Sequence, residues 1–149
     1  MTESASNLMD FLNFNNLMMD NLNDLIIIIN TKREIEYVNN PSLFHLLGYD
    51  KNELERKKIN EYIHNDDKDI FNQTFEKMFK EGADIQEIRL RCKNGEYIWV
   101  EMNGIPIEDE RRAKKLILIS KDITHDKMLE QKLKQVNLLE KEDQSRINK

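Results

Sequence analysis

The sequence predicts an α+β domain built around an antiparallel sheet, and three observations carry that prediction. Two short β-branched runs, DLIIIIN (24–30) and IEYV (35–38), lead into a helical region. Between 85 and 107 the apolar pattern switches from helical to alternating, interrupted by Asn94-Gly95, a strong hairpin signal. A final apolar run, LILIS (116–120), closes the series. Strands, then helices, then strands is the order of an α+β fold.

Each element has a local cause. Leu8, Phe11, Leu12, Asn15, Met18, Met19 and Leu22 fall near one helical face, which predicts an amphipathic N-terminal helix over 1–22. Leu25–Ile29 is apolar at every position, as suits a strand covered on both faces. After the TKRE turn comes the second strand, IEYV. Asn40 is placed to cap a helix with Pro41 at its first position, where a missing N–H costs nothing. That helix holds Leu43, Phe44, Leu46 and Leu47 and stops at Gly48. A longer helix has Asp66 as its expected N-cap, with Asp67 and Asp69 in a first turn where the dipole favours acids. Ile70, Phe71, Thr74, Phe75, Met78 and Phe79 form its apolar stripe, and Gly82 ends it.

In the hairpin, Ile88, Leu90 and Cys92 share one face while Glu87, Arg89 and Arg91 take the other. On the return strand Ile98, Val100 and Met102 alternate with Tyr97, Trp99 and Glu101. The Asn-Gly turn is expected to place both central residues at φ > 0. Pro106 belongs near a sheet edge or strand end. LILIS, after the polar EDERRAK turn, is expected to be buried on both sides. Thr124 then stands as an N-cap contributing about 1 kcal/mol. Beyond it Leu129, Leu133 and Val136 recur at spacings of four and three, the start of a coiled-coil seam that Glu140 and Asp143 interrupt.

Composition narrows the function. The 149 residues carry a formal charge of -5, so no basic field invites nucleic acid or an anionic membrane. Residues 1–30 hold Glu3, Asp10, Asp20 and Asp24 and no Lys or Arg, which argues against a secretory signal. The longest apolar run falls far short of the ~20 residues of a membrane span. A single cysteine, Cys92, leaves no internal disulfide or Cys-based zinc cluster. The expected location is cytoplasmic, with no membrane insertion.

The motifs IEYVNN, LLGYDKNEL, IHNDD, RLRCKNGEYIWVE and ILISKDIT, in this order, resemble a PAS domain with a PAC-type C-terminal half, over roughly residues 20–126. The chain departs from the family pattern in places. His64-Asn65-Asp66-Asp67 replaces the usual His-Pro-Asp-Asp, Pro41 stands where a small residue is common, and a glycine that often follows the Glu-Leu is missing. The resemblance implies a PAS domain over 23–124, with a five-stranded antiparallel sheet of spatial order 2-1-5-4-3. It also implies helices across one face, and a cleft between the two layers that holds a ligand or cofactor in many members. The implied role is sensing and signal relay within a larger protein, here expected to be a two-component sensor histidine kinase. Asp122-Ile123-Thr124 looks like the family's terminal DIT motif, which joins the last strand to a signalling helix, 125–149, leading to an output domain.

Candidate chemistry is sparse. His125, in THDKM, faintly resembles a kinase phosphoacceptor box but lacks its Arg and Pro, and reads better as a surface histidine beside a capping turn. His64 is expected to order the approach to the long helix and His45 to lie on a helix surface; no i,i+4 pairing supports a metal. The light-sensing relatives carry their reactive cysteine where this chain has KKINEYIHNDD, and Cys92 falls on a strand instead. The amide positions of flavin-binding relatives correspond to Leu90, Val100 and Ser120, which leave a flavin's polar edge unpaired. No cofactor is therefore expected; a haem- or flavin-binding sensor is the alternative. No nucleophile–base pair points to an enzyme.

The inward set is Ile27, Ile29, Leu47, Ile63, Phe71, Phe75, Met78, Leu90, Ile98, Val100, Leu118 and Ser120. It either fills a core or lines a pocket for a small apolar ligand. Trp99 and Tyr97, on the opposite sheet face, form an exposed patch unless covered, and the Leu8–Leu22 helix is the expected cover. A homodimer is expected, its seam formed by Leu8, Phe11, Leu12, Met18, Leu22, Trp99, Leu129, Leu133 and Val136. A ligand-free dimerisation or protein-interaction domain is the other reading.

Overall fold

A computed structural model of the chain describes residues 24–39, 47–82 and 86–147. β1 (Leu25–Asn30) and β2 (Ile35–Val38) form the first hairpin. A short helix α1 (Lys51–Leu54) and two 3-10 turns, Ile59–Tyr62 and Asn65–Asp67, lead into α2 (Lys68–Glu81). β3 (Gln86–Arg91), β4 (Tyr97–Glu108) and β5 (Lys114–Asp122) follow, and α3 (Thr124–Ile147) leaves the sheet. The strands form one antiparallel sheet in the expected order β2-β1-β5-β4-β3. The expected 1–22 helix and the Asn40–Pro41 helix start, with Leu43, Phe44, His45 and Leu46, lie outside the described residues.

Strand position explains the sequence patterns. β1 and β5 are central, so both of their faces are apolar. Leu25, Ile27 and Ile29 of β1 stand beside Ser120, Leu118 and Leu116 of β5 on the inner face, under α2. Ile26, Ile117 and Ile119 form a second cluster on the outer face. β4 continues past β3, whose register ends at Gln86 opposite Met102. Pro106 therefore lies where β4 pairs only with β5 among the described strands, and its missing N–H breaks no ladder there. α2 packs closely on β4 at Gly104, where an added Cβ would sit 2.8 Å from Met78 Sδ and 3.3 Å from Met78 Cβ.

Several local expectations are corrected. The 3-10 turn, not Asp66, opens the helix: His64 Nδ1 accepts the Asp66 N–H at 3.0 Å, and Asp67 is the N-cap position of α2 without a side-chain cap bond. Ile70 is 47% exposed and drops out of the stripe, whereas Phe71, Phe75 and Met78 are buried. Gly82 ends α2 at φ +81, as expected. The Asn94-Gly95 turn has only Gly95 at positive φ, +91. Cys92 N–H bonds to the Glu96 carbonyl at 2.7 Å, so the loop holds three residues, Lys93, Asn94 and Gly95, one more than a two-residue turn. Asn94 serves it through its side chain, accepting the Glu96 N–H at 2.9 Å.

Candidate functional site

The sheet's inner face gathers most of the expected pocket residues. Ile27, Ile29, Leu47, Ile63, Phe71, Phe75, Met78, Leu90, Val100 and Leu118 belong to one buried cluster, with Ile98 partly buried against it. Ser120 is fully buried on the same face. Residue Gln86 was not among the expected members, yet it is buried too. Register places Gln86, Met102, Ser120 and Leu25 side by side across β3, β4, β5 and β1. Gln86 Oε1 and Ser120 Oγ are buried and have no hydrogen-bond partner among the described residues. Such groups are uncommon in folded proteins, because each loses its hydration for nothing in return. Gln86 is in phase with Ile88 and Leu90, and that alternation is the sequence signal that identifies it.

Near the β1–β2 turn, Arg33 stands at the edge of this face. Asn30 Oδ1 accepts the Lys32 and Glu34 N–H groups at 2.9 and 3.0 Å, which holds the turn. Arg33 sits at φ +68, its Cζ 4.4 Å from the Phe75 ring centroid, and it donates to Asn72 Oδ1. A cation thus rests on the rim of the aromatic core, not within it.

The turn into α3 is bonded to β4. Ile123 N–H donates to the Trp99 carbonyl at 2.8 Å, and Trp99 N–H donates to Thr124 Oγ1 at 3.0 Å. Asp122 Oδ1 accepts from the Thr124 N–H and hydroxyl at 3.0 and 2.6 Å. Thr124 is thus a cross-strand linker. The first α3 amide bond runs from Lys127 N–H to the Ile123 carbonyl at 2.9 Å.

Trp99 makes contacts within the chain. Arg89 Cζ lies 4.7 Å and Lys127 Nζ 5.1 Å from its ring centroid. Arg89 is held in turn by Asp67, with Nε and Nη2 each 2.9 Å from its carboxylate oxygens, while Arg89 N–H reaches Asp67 Oδ2 at 2.8 Å. Burial pushes the Asp67 carboxyl up, but these bonds more than offset it and leave the group below the usual carboxylate range. Tyr97 is 40% exposed, with the His64 ring 4.7 Å away. Leu8, Phe11, Leu12, Met18 and Leu22 lie outside the described residues. On α3, Leu129, Leu133 and Val136 are 46%, 63% and 48% exposed. Among the described residues no helix is long and apolar enough to cross a membrane.

Comparison with known proteins places this geometry. The sequence profile of the PAS fold matches residues 35–119, more than half of the chain. No curated protein matches. Among solved structures, the PAS domain of a Colwellia psychrerythraea protein shares 24% identity, covering 77% of this chain and 98% of its own, with a TM-score of 0.64. The PAS domain of an HTR-like protein from Haloarcula marismortui shares 21%, covering 83% and 100%, at 0.61. Drosophila melanogaster Cycle PAS-B with bound ethylene glycol shares 17%, covering 66% and 98%, at 0.57. At these identities the likeness is one of fold.

Proposed function

The chain belongs to the PAS fold family, and from that premise we propose that it is the sensory and relay module of a larger signalling protein, a two-component sensor histidine kinase. One observation carries the relay reading: the last strand passes through a turn bonded to β4 into α3, whose apolar residues find no cover among the described residues. At 1.5 Å per residue the helix extends about 36 Å. Leu129, Leu133 and Val136 on it stay exposed at coiled-coil spacing. A second copy of the chain is the partner such a stripe fits, and an output domain is what the helix would drive.

The ligand is proposed to be small, neutral and mainly apolar, with one hydrogen-bonding end. Support comes from the apolar inner face and from the unpartnered Gln86 Oε1 and Ser120 Oγ on it. Binding there shifts β5, and the Asp122–Thr124 turn hands the shift to α3. A second reading, dimerisation without ligand, is favoured by the contact of Met78 with Gly104, which leaves no gap between α2 and β4 at that point.

Sedimentation velocity on the full chain and on a Leu133→Lys/Val136→Lys variant tests the relay arm. The unaltered chain should dimerise, and the variant, with like charges facing across the seam, should sediment as a monomer at concentrations where the parent is paired. An undiminished variant dimer rules out α3 as the pairing element.

A further inference from the structure

The interactions around Trp99 link the β3–β4 hairpin to the turn before α2 and to the start of α3. Asp67, in the turn that opens α2, holds Arg89 on β3. Arg89 lies over Trp99, its direct register partner on β4. Lys127, in the first turn of α3, lies over the same indole and is ion-paired with Glu87 on β3. One ring therefore receives two cations, each fixed by its own carboxylate. Asp67 is buried with 8% of its side chain exposed, and Arg89 and Lys127 are 25% and 23% exposed, so both cations are largely screened from bulk water.

We propose that Asp67, Arg89, Trp99 and Lys127 form a latch that seats α3 on the sheet and can be released from the α2 side. This deepens the relay reading and rests on it: the latch is a second tie on α3, beside the Asp122–Thr124 turn. Its physical basis is that α2, which carries Phe71, Phe75 and Met78 into the inner core, begins directly after Asp67, so a shift of α2 moves the turn holding Asp67. Without Asp67, Arg89 loses the bonds that aim its guanidinium at the ring. Asp66 Oδ2, 3.8 Å from Arg89 Nη2, is the other carboxylate near it and is 74% exposed, a poor substitute. With the Arg89 contact gone, the indole is free to turn, and Lys127 loses the surface that seats it.

The test uses hydrogen exchange on the full chain, read at the α3 amides from Lys127 to Leu133, together with fluorescence of Trp99, the sole tryptophan. Asp67→Asn is expected to raise exchange at those amides several-fold and to shift the emission, although residue 67 belongs to the turn before α2. Lys127→Met should raise exchange at the same amides and leave β3 and α2 protected. The decisive comparison is the double variant. If the residues act through one chain, Asp67→Asn adds little once Lys127 is gone. Equal protection of α3 in folded Asp67→Asn, or strictly additive effects in the double variant, overturns the latch. A general loss of protection in Asp67→Asn leaves the additivity arm to decide, since it compares α3 amides against β5 amides in the same molecule. The relay reading fails separately, if the Leu133→Lys/Val136→Lys chain still dimerises.

Discussion

Asp67 couples the stability of this domain to acid. Its carboxyl titrates below the usual range in the folded state because Arg89 and the Arg89 N–H favour the charged form. A lowered folded pKa stabilises the fold above the unfolded value, and that contribution disappears as pH falls from about 4 through the folded pKa. Urea unfolding as a function of pH should show this loss in the parent and a flatter profile in Asp67→Asn. Asp67→Ala, which also strands Arg89, should cost about 2–4 kcal/mol near neutral pH. Gly104 makes a second residue-level case. Gly104→Ala must push Met78 or the α2 backbone away and should destabilise by about 1–3 kcal/mol in the same assay.

At the scale of elements, the β3–β4 turn gives a prediction with a sign that separates two turn types. With only Gly95 at positive φ, Gly95→Ala should cost about 1–2 kcal/mol, while Asn94→Ala loses only its bond to the Glu96 N–H, about 1 kcal/mol or less. A turn requiring positive φ at both residues would make the two substitutions comparably harmful. The strands and α2 were legible in the sequence because alternation, an apolar stripe along a 14-residue helix and Gly82 are local signals, whereas the strand order followed only from the resemblance to the PAS family. The burial phase of β1 was not legible, since Leu25–Ile29 are apolar at every position. The cap of α2 was misplaced for a different reason. Asp67 is drawn off to a strand 22 residues away, and no local rule anticipates which strand edge the turn will meet. Thr124 follows the same logic, its hydroxyl taken by Trp99 N–H at a separation of 25 residues. Gln86 is legible by its phase with Ile88 and Leu90, but a polar residue at the start of a strand carries no local sign of burial.

For the whole molecule, the layers assign different tasks to the two sheet faces. The inner face, under α2, carries a continuous apolar cluster with two polar atoms, Gln86 Oε1 and Ser120 Oγ, that lack a partner among the described residues. The outer side carries Trp99 and the root of α3. A change at the first face reaches the second through β5 and its turn and, by the proposed latch, through the turn before α2. Gln86→Leu should then remove one of the unpartnered oxygens, leaving stability equal to or above the parent while lowering occupancy of any bound molecule, as read by mass. A variant that loses stability instead would mean that Gln86 makes a structural bond.

The most direct measurement is a native mass spectrum of the full chain as purified. A sensory dimer should fly as two chains, each carrying the same small added mass, and Leu133→Lys/Val136→Lys should convert it to single chains that keep that mass. A bare monomer from the unaltered chain contradicts both the ligand and the pairing, and with them the reading of α3 as a relay.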